Sequence, residues 1–152
     1  MDREIAKKEV AKLVKEFSEY SKEKLSDKSE NQIKSEFIDP LFEALGWDMR
    51  KDAEREERVL KGRADYILKI GNQNKLVVEA KKTNVGLNEE EGRQAVSYAH
   101  HKNIKFAILT NFARIKVFHA LSNIKNIDYE IDEEVYKLYG ITKAEQEIIE
   151  KV

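Results

Sequence analysis

Apolar residues near the N-terminus recur at alternating spacings of four and three: Ala6, Val10, Leu13, Phe17 and Tyr20. That is the period of one helix face, with Lys and Glu filling the others, so residues 2 to about 25 are predicted to form an amphipathic helix. Its eight basic and seven acidic side chains between Met1 and Lys28 read as a solvated face rather than a phosphate-binding one. A second helix opens at "SENQIKSEFIDPLFEALGW", where Ser29 can cap the first turn and Gln32 completes a capping box. Ile33, Phe37, Leu41 and Leu45 form its apolar stripe. Pro40 lacks an N–H and is expected to kink or divide this helix; Gly46 ends it, with Trp47 in the core.

The period then changes. "DMRKDAEREERVLK" is a charged stretch leading into a short edge strand near Arg58 to Leu60. Ala64 to Ile70 and Leu76 to Ala80 are apolar runs of strand length, and the connector "GNQN" is rich in turn formers, so an antiparallel hairpin is predicted. Asn88 to about His101 follows as a helix with Ala95, Val96, Tyr98 and Ala99 on its buried side. "KFAILT" and "RIKVFHA" read as two more strands, and "DEEVYKLYG" and "KAEQEIIEKV" as short C-terminal helices. This order predicts an α/β (α+β mixed) domain with a central mixed sheet flanked by helices. We expect a single domain over 1–152: an N-terminal helix over 1–25, a core over 29–119 and a helical tail over 128–152.

Composition narrows the chemistry. The 152 residues are 38% charged and 41% apolar, a globular balance, and the formal net charge of -1 means that any nucleic-acid surface must be a local patch. The absence of cysteine excludes disulfides, thiolate zinc sites and thiol catalysis. No apolar run is long enough to span a membrane and the N-terminus is charged throughout, so a cytoplasmic protein without anchor or signal peptide is expected. There is no P-loop, dinucleotide fingerprint or nucleophile elbow. His100 and His101 are adjacent and diverge on a helix, and His119 is isolated, which makes all three surface or boundary residues.

The chemistry that remains sits in the hairpin. Asp65 lies near the start of its first strand, Glu79 near the end of the second, and Lys81 two residues on. The acids are fourteen positions apart, centred on Asn72 in the turn, so a hairpin places them near one another. Two such carboxylates repel unless a cation lies between them, and a hard divalent ion such as Mg2+ suits oxygen ligands of this kind. Lys81 would then orient an attacking water or stabilise charge on a phosphodiester in its transition state. The plainer alternative is an ordinary Glu79–Lys81 surface pair, and spacing alone does not separate the two.

Wider context does. The helix "SENQIKSEFIDPLFEALGWD", then "GRADYIL", "LVVEAKK", "RQAVSYA" and "FAILTNF", in this order, resemble the PD-(D/E)XK nuclease superfamily. The likeness is to the N-terminal nuclease domain of type I restriction enzyme R subunits and the nuclease segment of type IIG restriction–modification enzymes. It covers roughly Ser29 to His119 and implies a restriction-endonuclease-like core. By this resemblance Asp65 and Glu79 are metal ligands, the Ala80 carbonyl a third, and Lys81 the catalytic lysine. Glu30 matches an acid that such nucleases add to the metal shell, and it is equally a first-turn acid favoured by the helix dipole. Glu36 is a fallback that matches no family position. Gln94 and Tyr98 share a helix face and match a pair that contacts substrate or the catalytic lysine, while core packing also accounts for Tyr98. Lys82 and Arg63 flank the site, where they would contact phosphate or stand as solvated charges.

The resemblance implies a Mg2+-dependent DNA endonuclease, with Mn2+ able to substitute, acting on DNA as a homodimer or with a restriction–modification partner subunit. Within 152 residues no motor, methyltransferase or target-recognition part is expected. The alternative is an inactive module of the same fold that binds DNA or a protein partner.

Overall fold

The computed structural model describes residues 2–59 and 62–121. The helices expected over 128–152 lie outside the described residues. Asp2 caps α1 (Arg3–Ser18) by accepting from the N–H groups of Glu4 and Ile5. The single N-terminal helix expected from the periodicity is in fact two. Ser21, in extended backbone, caps a new helix, α2 (Lys22–Asp27), so the chain turns after Glu19. The apolar stripe is as expected: Leu13 packs with Leu41 and Ala44, flanked by Val10, Leu45 and Phe112.

Ser29 and Gln32 form the expected capping box at the start of α3 (Glu30–Ile33). Pro40 does not divide this helix. A π-helical turn over Lys34–Ile38 widens the rod ahead of the proline, which then sits in the first turn of α4 (Asp39–Ala44). One wide turn, closed by the Asp39 N–H on the Lys34 carbonyl, takes up the irregularity without a break. Gly46, at φ +105°, closes the rod, with its N–H on the Glu43 carbonyl and the Trp47 N–H on that of Phe42.

Five strands follow: β1 (Ala53–Val59), β2 (Gly62–Ile70), β3 (Gln73–Ala80), β4 (Phe106–Thr110) and β5 (Ile115–His119), in the spatial order β1-β2-β3-β4-β5. All neighbours are antiparallel except β3 and β4, which α5 (Glu89–His101) connects as a crossover. This is the mixed sheet flanked by helices that the sequence predicts, and it agrees with a restriction-endonuclease-like core. β1 begins five residues before the predicted edge strand, and β3 three before its apolar run. Apart from Ala53, which packs against the core, the added residues are polar, so ladder hydrogen bonds rather than burial hold them in the sheet.

Alternation along β3 sends Leu76, Val78 and Ala80 to one face, where Ile33, Phe37, Ile38 and Phe42 of the helical rod cover them. Val77 points the other way, onto Ala95, Tyr98 and Ala99 of α5. At Gly92 an added Cβ would stand 2.8 Å from the Phe118 ring, so the glycine lets α5 lie close on β5.

Candidate active site

The hairpin turns at Gly71 (φ +59°) and Asn72, pairing Ile70 with Gln73 and Lys69 with Asn74. Continued unchanged, that register would set Asp65 opposite Val78. A bulge between Leu68 and Lys69 leaves Lys75 as an extra residue on β3 and moves the pairs to Leu68–Leu76, Ile67–Val77 and Tyr66–Val78. Asp65 therefore falls opposite Glu79, as the sequence spacing suggested, but through an added residue rather than a turn centred on Asn72.

Both ladders open at Asp65. The β1–β2 register runs from Arg55–Tyr66 to Glu57–Ala64 and skips Glu56, whose φ is +50°. On the other side the last pair is Tyr66–Val78. The Asp65 side chain fills the gap by accepting from the Ala80 backbone N–H through Oδ2 at 2.8 Å. Its other oxygen, Oδ1, accepts from the Lys34 ammonium. Lys34 Nζ also lies 3.2 Å from Glu30 Oε1, one helical turn back. So Glu30 joins the cluster, by way of Lys34. Burial works against the Lys34 ammonium, but the Asp65 and Glu30 carboxylates outweigh it and raise its pKa.

Glu79 is 5% exposed. Its Oε1 accepts from Lys81 Nζ at 2.8 Å, whereas Oε2 is buried with no hydrogen-bond partner among the described residues. Burial raises the Glu79 pKa despite the Lys81 hydrogen bond, and the charges of Asp65 and Glu30 push the same way. Burial alone would lower the Lys81 pKa, but the bond to Glu79 and the three nearby carboxylates raise it. Lys81 follows the end of β3, its N–H held by the Thr110 carbonyl at 2.8 Å.

The other expected site residues divide. Gln94 and Tyr98 do share a face of α5, and Gln94 Nε2 donates to the Tyr98 hydroxyl at 2.7 Å. Tyr98 is buried among the apolar residues beneath α5, while Gln94 is exposed. Lys82 is exposed. Arg63 pairs with Arg58 in the β1–β2 ladder, and its side chain lies outside what is described. Glu36 pairs with Lys28 at 2.6 Å.

Lys34 was not singled out by the sequence, although its place four residues after Glu30 was a usable signal. The rod and β2 also border an open cleft of about 270 Å3 lined by Asn31, Lys34, Ser35, Asp39, Arg55, Glu56, Asp65 and Tyr66. Arg55 pairs with Asp39 at 2.8 Å and lies over the Tyr66 ring, 5.1 Å from its centroid. Among the described residues no group of three or more acids or histidines is close enough to hold a metal ion. No helix among them is long and apolar enough to cross a membrane.

Residues 7–133 match the family described as "Type I restriction enzyme R protein N terminus". The Type II restriction enzyme and methyltransferase RM.Eco57I of Escherichia coli is 30% identical over 132 residues, covering 76% of this chain and 13% of its own length. No solved structure matches the chain. The chain belongs to the family of type I restriction enzyme R protein N-termini.

Proposed function

We propose that this member of the type I restriction enzyme R protein N-terminal family is a metal-dependent DNA endonuclease that hydrolyses phosphodiester bonds. The observation that carries the reading is the Glu79 carboxylate, buried with one oxygen unpartnered, beside Asp65 and paired to Lys81. A buried carboxylate oxygen without a donor is costly unless a cation completes it. The donors are hard oxygens, which suits Mg2+ or Mn2+. Asp65, Glu79 and the Ala80 carbonyl would hold the ion, with Glu30 at the margin.

When bound, the ion would polarise a phosphate oxygen and acidify a water. The chain's own residues do the rest. Lys81, with its raised pKa, is an ammonium at neutral pH. Its role is therefore to stabilise charge on the phosphate and orient the attacking water, not to accept a proton as a free amine. Gln94 is exposed on the helix that covers the Glu79 side of the sheet, where it would contact the substrate with Tyr98. Lys82 and Arg63 would contact flanking phosphates, making affinity fall as salt rises. A homodimer or a restriction–modification partner would direct cutting of both strands.

One observation favours a second reading, a module that binds DNA or a protein without turnover. Lys34 occupies Asp65 and Glu30, and no three acids converge among the described residues. Nicking of supercoiled plasmid with Mg2+ and with Mn2+, comparing wild type with Lys81→Ala, separates the two. Nicking by wild type alone supports the endonuclease. Salt-sensitive binding of DNA without nicking by either protein supports the binding module.

A further inference from the structure

We infer that Lys34 is an exchangeable counter-cation of this site: it holds Asp65 and Glu30 in the metal-free protein, and a divalent ion that takes Asp65 must displace it. This rests on the reading of Asp65 and Glu79 as metal ligands.

The two acids are not in the same state. Asp65 has both oxygens engaged, Oδ2 by the Ala80 N–H and Oδ1 by Lys34, so Oδ1 is the oxygen on which a cation sits. Glu79 keeps Oε2 open. The site is thus half prepared for an ion and half filled by a side chain of the protein itself. Glu30, Asp65 and Glu79 with Lys34 and Lys81 leave one negative charge among five groups. A divalent ion added beside both ammonium groups would turn that into one positive charge. At the few-ångström separations of this cluster, like charges repel strongly enough to expel the more mobile one.

Lys81 is held in place by Glu79, which the ion would only partly neutralise; Lys34 loses Asp65 to the ion and keeps only Glu30, its longer contact at 3.2 Å. Its side chain has a flexible stem and an outlet, because it already lines the cleft with Asn31, Ser35, Arg55 and Tyr66. Swung into that cleft, the ammonium would face the phosphate backbone of a bound DNA strand. Lys34 is in this sense a positioning residue that changes partner when the ion arrives.

Calorimetric titration of Mn2+ into metal-free protein, without DNA, tests the exchange. Lys34→Met keeps the apolar stem and removes the charge. It should bind Mn2+ on the order of tenfold more tightly than wild type, the scale of removing one nearby unit charge. Lys34→Arg should stay near wild type. In EDTA, Lys34→Met should melt at a lower temperature than wild type, and Mn2+ should raise its melting temperature by the larger increment. Equal or weaker Mn2+ affinity in folded Lys34→Met overturns the inference and leaves Lys34 a structural partner of Asp65. Should Lys34→Met not fold, Lys34→Gln carries the same comparison. If Asp65→Asn and Glu79→Gln both leave Mn2+ affinity unchanged, the metal site itself fails, a result distinct from failure of the exchange.

Discussion

The Asp65 carboxylate accepts a 2.8 Å hydrogen bond from the backbone N–H of Ala80, at the point where β2 and β3 stop pairing. A residue expected to do chemistry is therefore also part of the sheet, and its two roles can be separated.

Asp65→Asn retains an acceptor for the Ala80 N–H but loses the charge, whereas Asp65→Ala loses both. Both variants are expected to lose plasmid nicking. In urea denaturation, Asp65→Ala should be less stable than Asp65→Asn by about 1–3 kcal/mol, the cost of an unpaired buried donor. Equal stabilities would mean that water satisfies Ala80 in the alanine variant.

Glu79 sets a pH dependence. Its pKa in the folded, metal-free protein is raised above 4.5 by burial. The folded state therefore holds this proton more tightly than the unfolded state does. The resulting stabilisation is fully present below about pH 4.5 and is lost as pH rises through the folded pKa. In EDTA, wild type should lose stability relative to Glu79→Gln over that rise. Stability curves that stay parallel across it would show that Glu79 is not desolvated.

Tyr66 is 1% exposed, and its hydroxyl has no hydrogen-bond partner among the described residues. Burial raises its pKa, and the Asp39 carboxylate adds to the effect. Tyr66→Phe should stabilise the protein by about 1 kcal/mol, since it removes an unsatisfied buried group. It should also flatten the alkaline side of the stability profile. There, wild type loses stability as pH rises past 10, the ordinary tyrosine value, because only the unfolded chain ionises readily. A destabilised Tyr66→Phe would show that the hydroxyl has a bound water in solution.

Gln94→Ala removes an exposed side chain whose hydrogen bond is to Tyr98. Its stability should change by less than about 0.5 kcal/mol, as for surface substitutions generally. Cleavage should nevertheless fall if Gln94 meets the substrate. Nicking at the wild-type rate would leave the pair as a brace within α5.

Much of this was legible in residues that act locally. Ser29 and Gln32 announced their helix start, and Gly71 lies in the turn that joins the two central strands. The apolar run that opens with Leu76, Val77 and Val78 announced a strand, which the fold buries on both faces. The break after Glu19 was hidden because Phe17 and Tyr20 continue the apolar period even though Ser21 restarts the helix. The polar ends of β1 and β3 were hidden because hydrophobicity marks burial, not backbone pairing.

By itself, then, the sequence determined the order of the five strands with α5 between β3 and β4, the apolar stripe of the N-terminal segment and the candidate trio Asp65, Glu79 and Lys81, since periodicity and spacing are properties of a short stretch of chain. Only the tertiary structure decided that a bulge at Leu68/Lys69 would bring Asp65 opposite Glu79, and that Lys34 would reach Asp65 from 31 residues away. It also decided that one oxygen of Glu79 would be left open. Those outcomes depend on which charges and backbone groups meet when distant segments pack, and burial sets their strength by removing the water that would otherwise screen them.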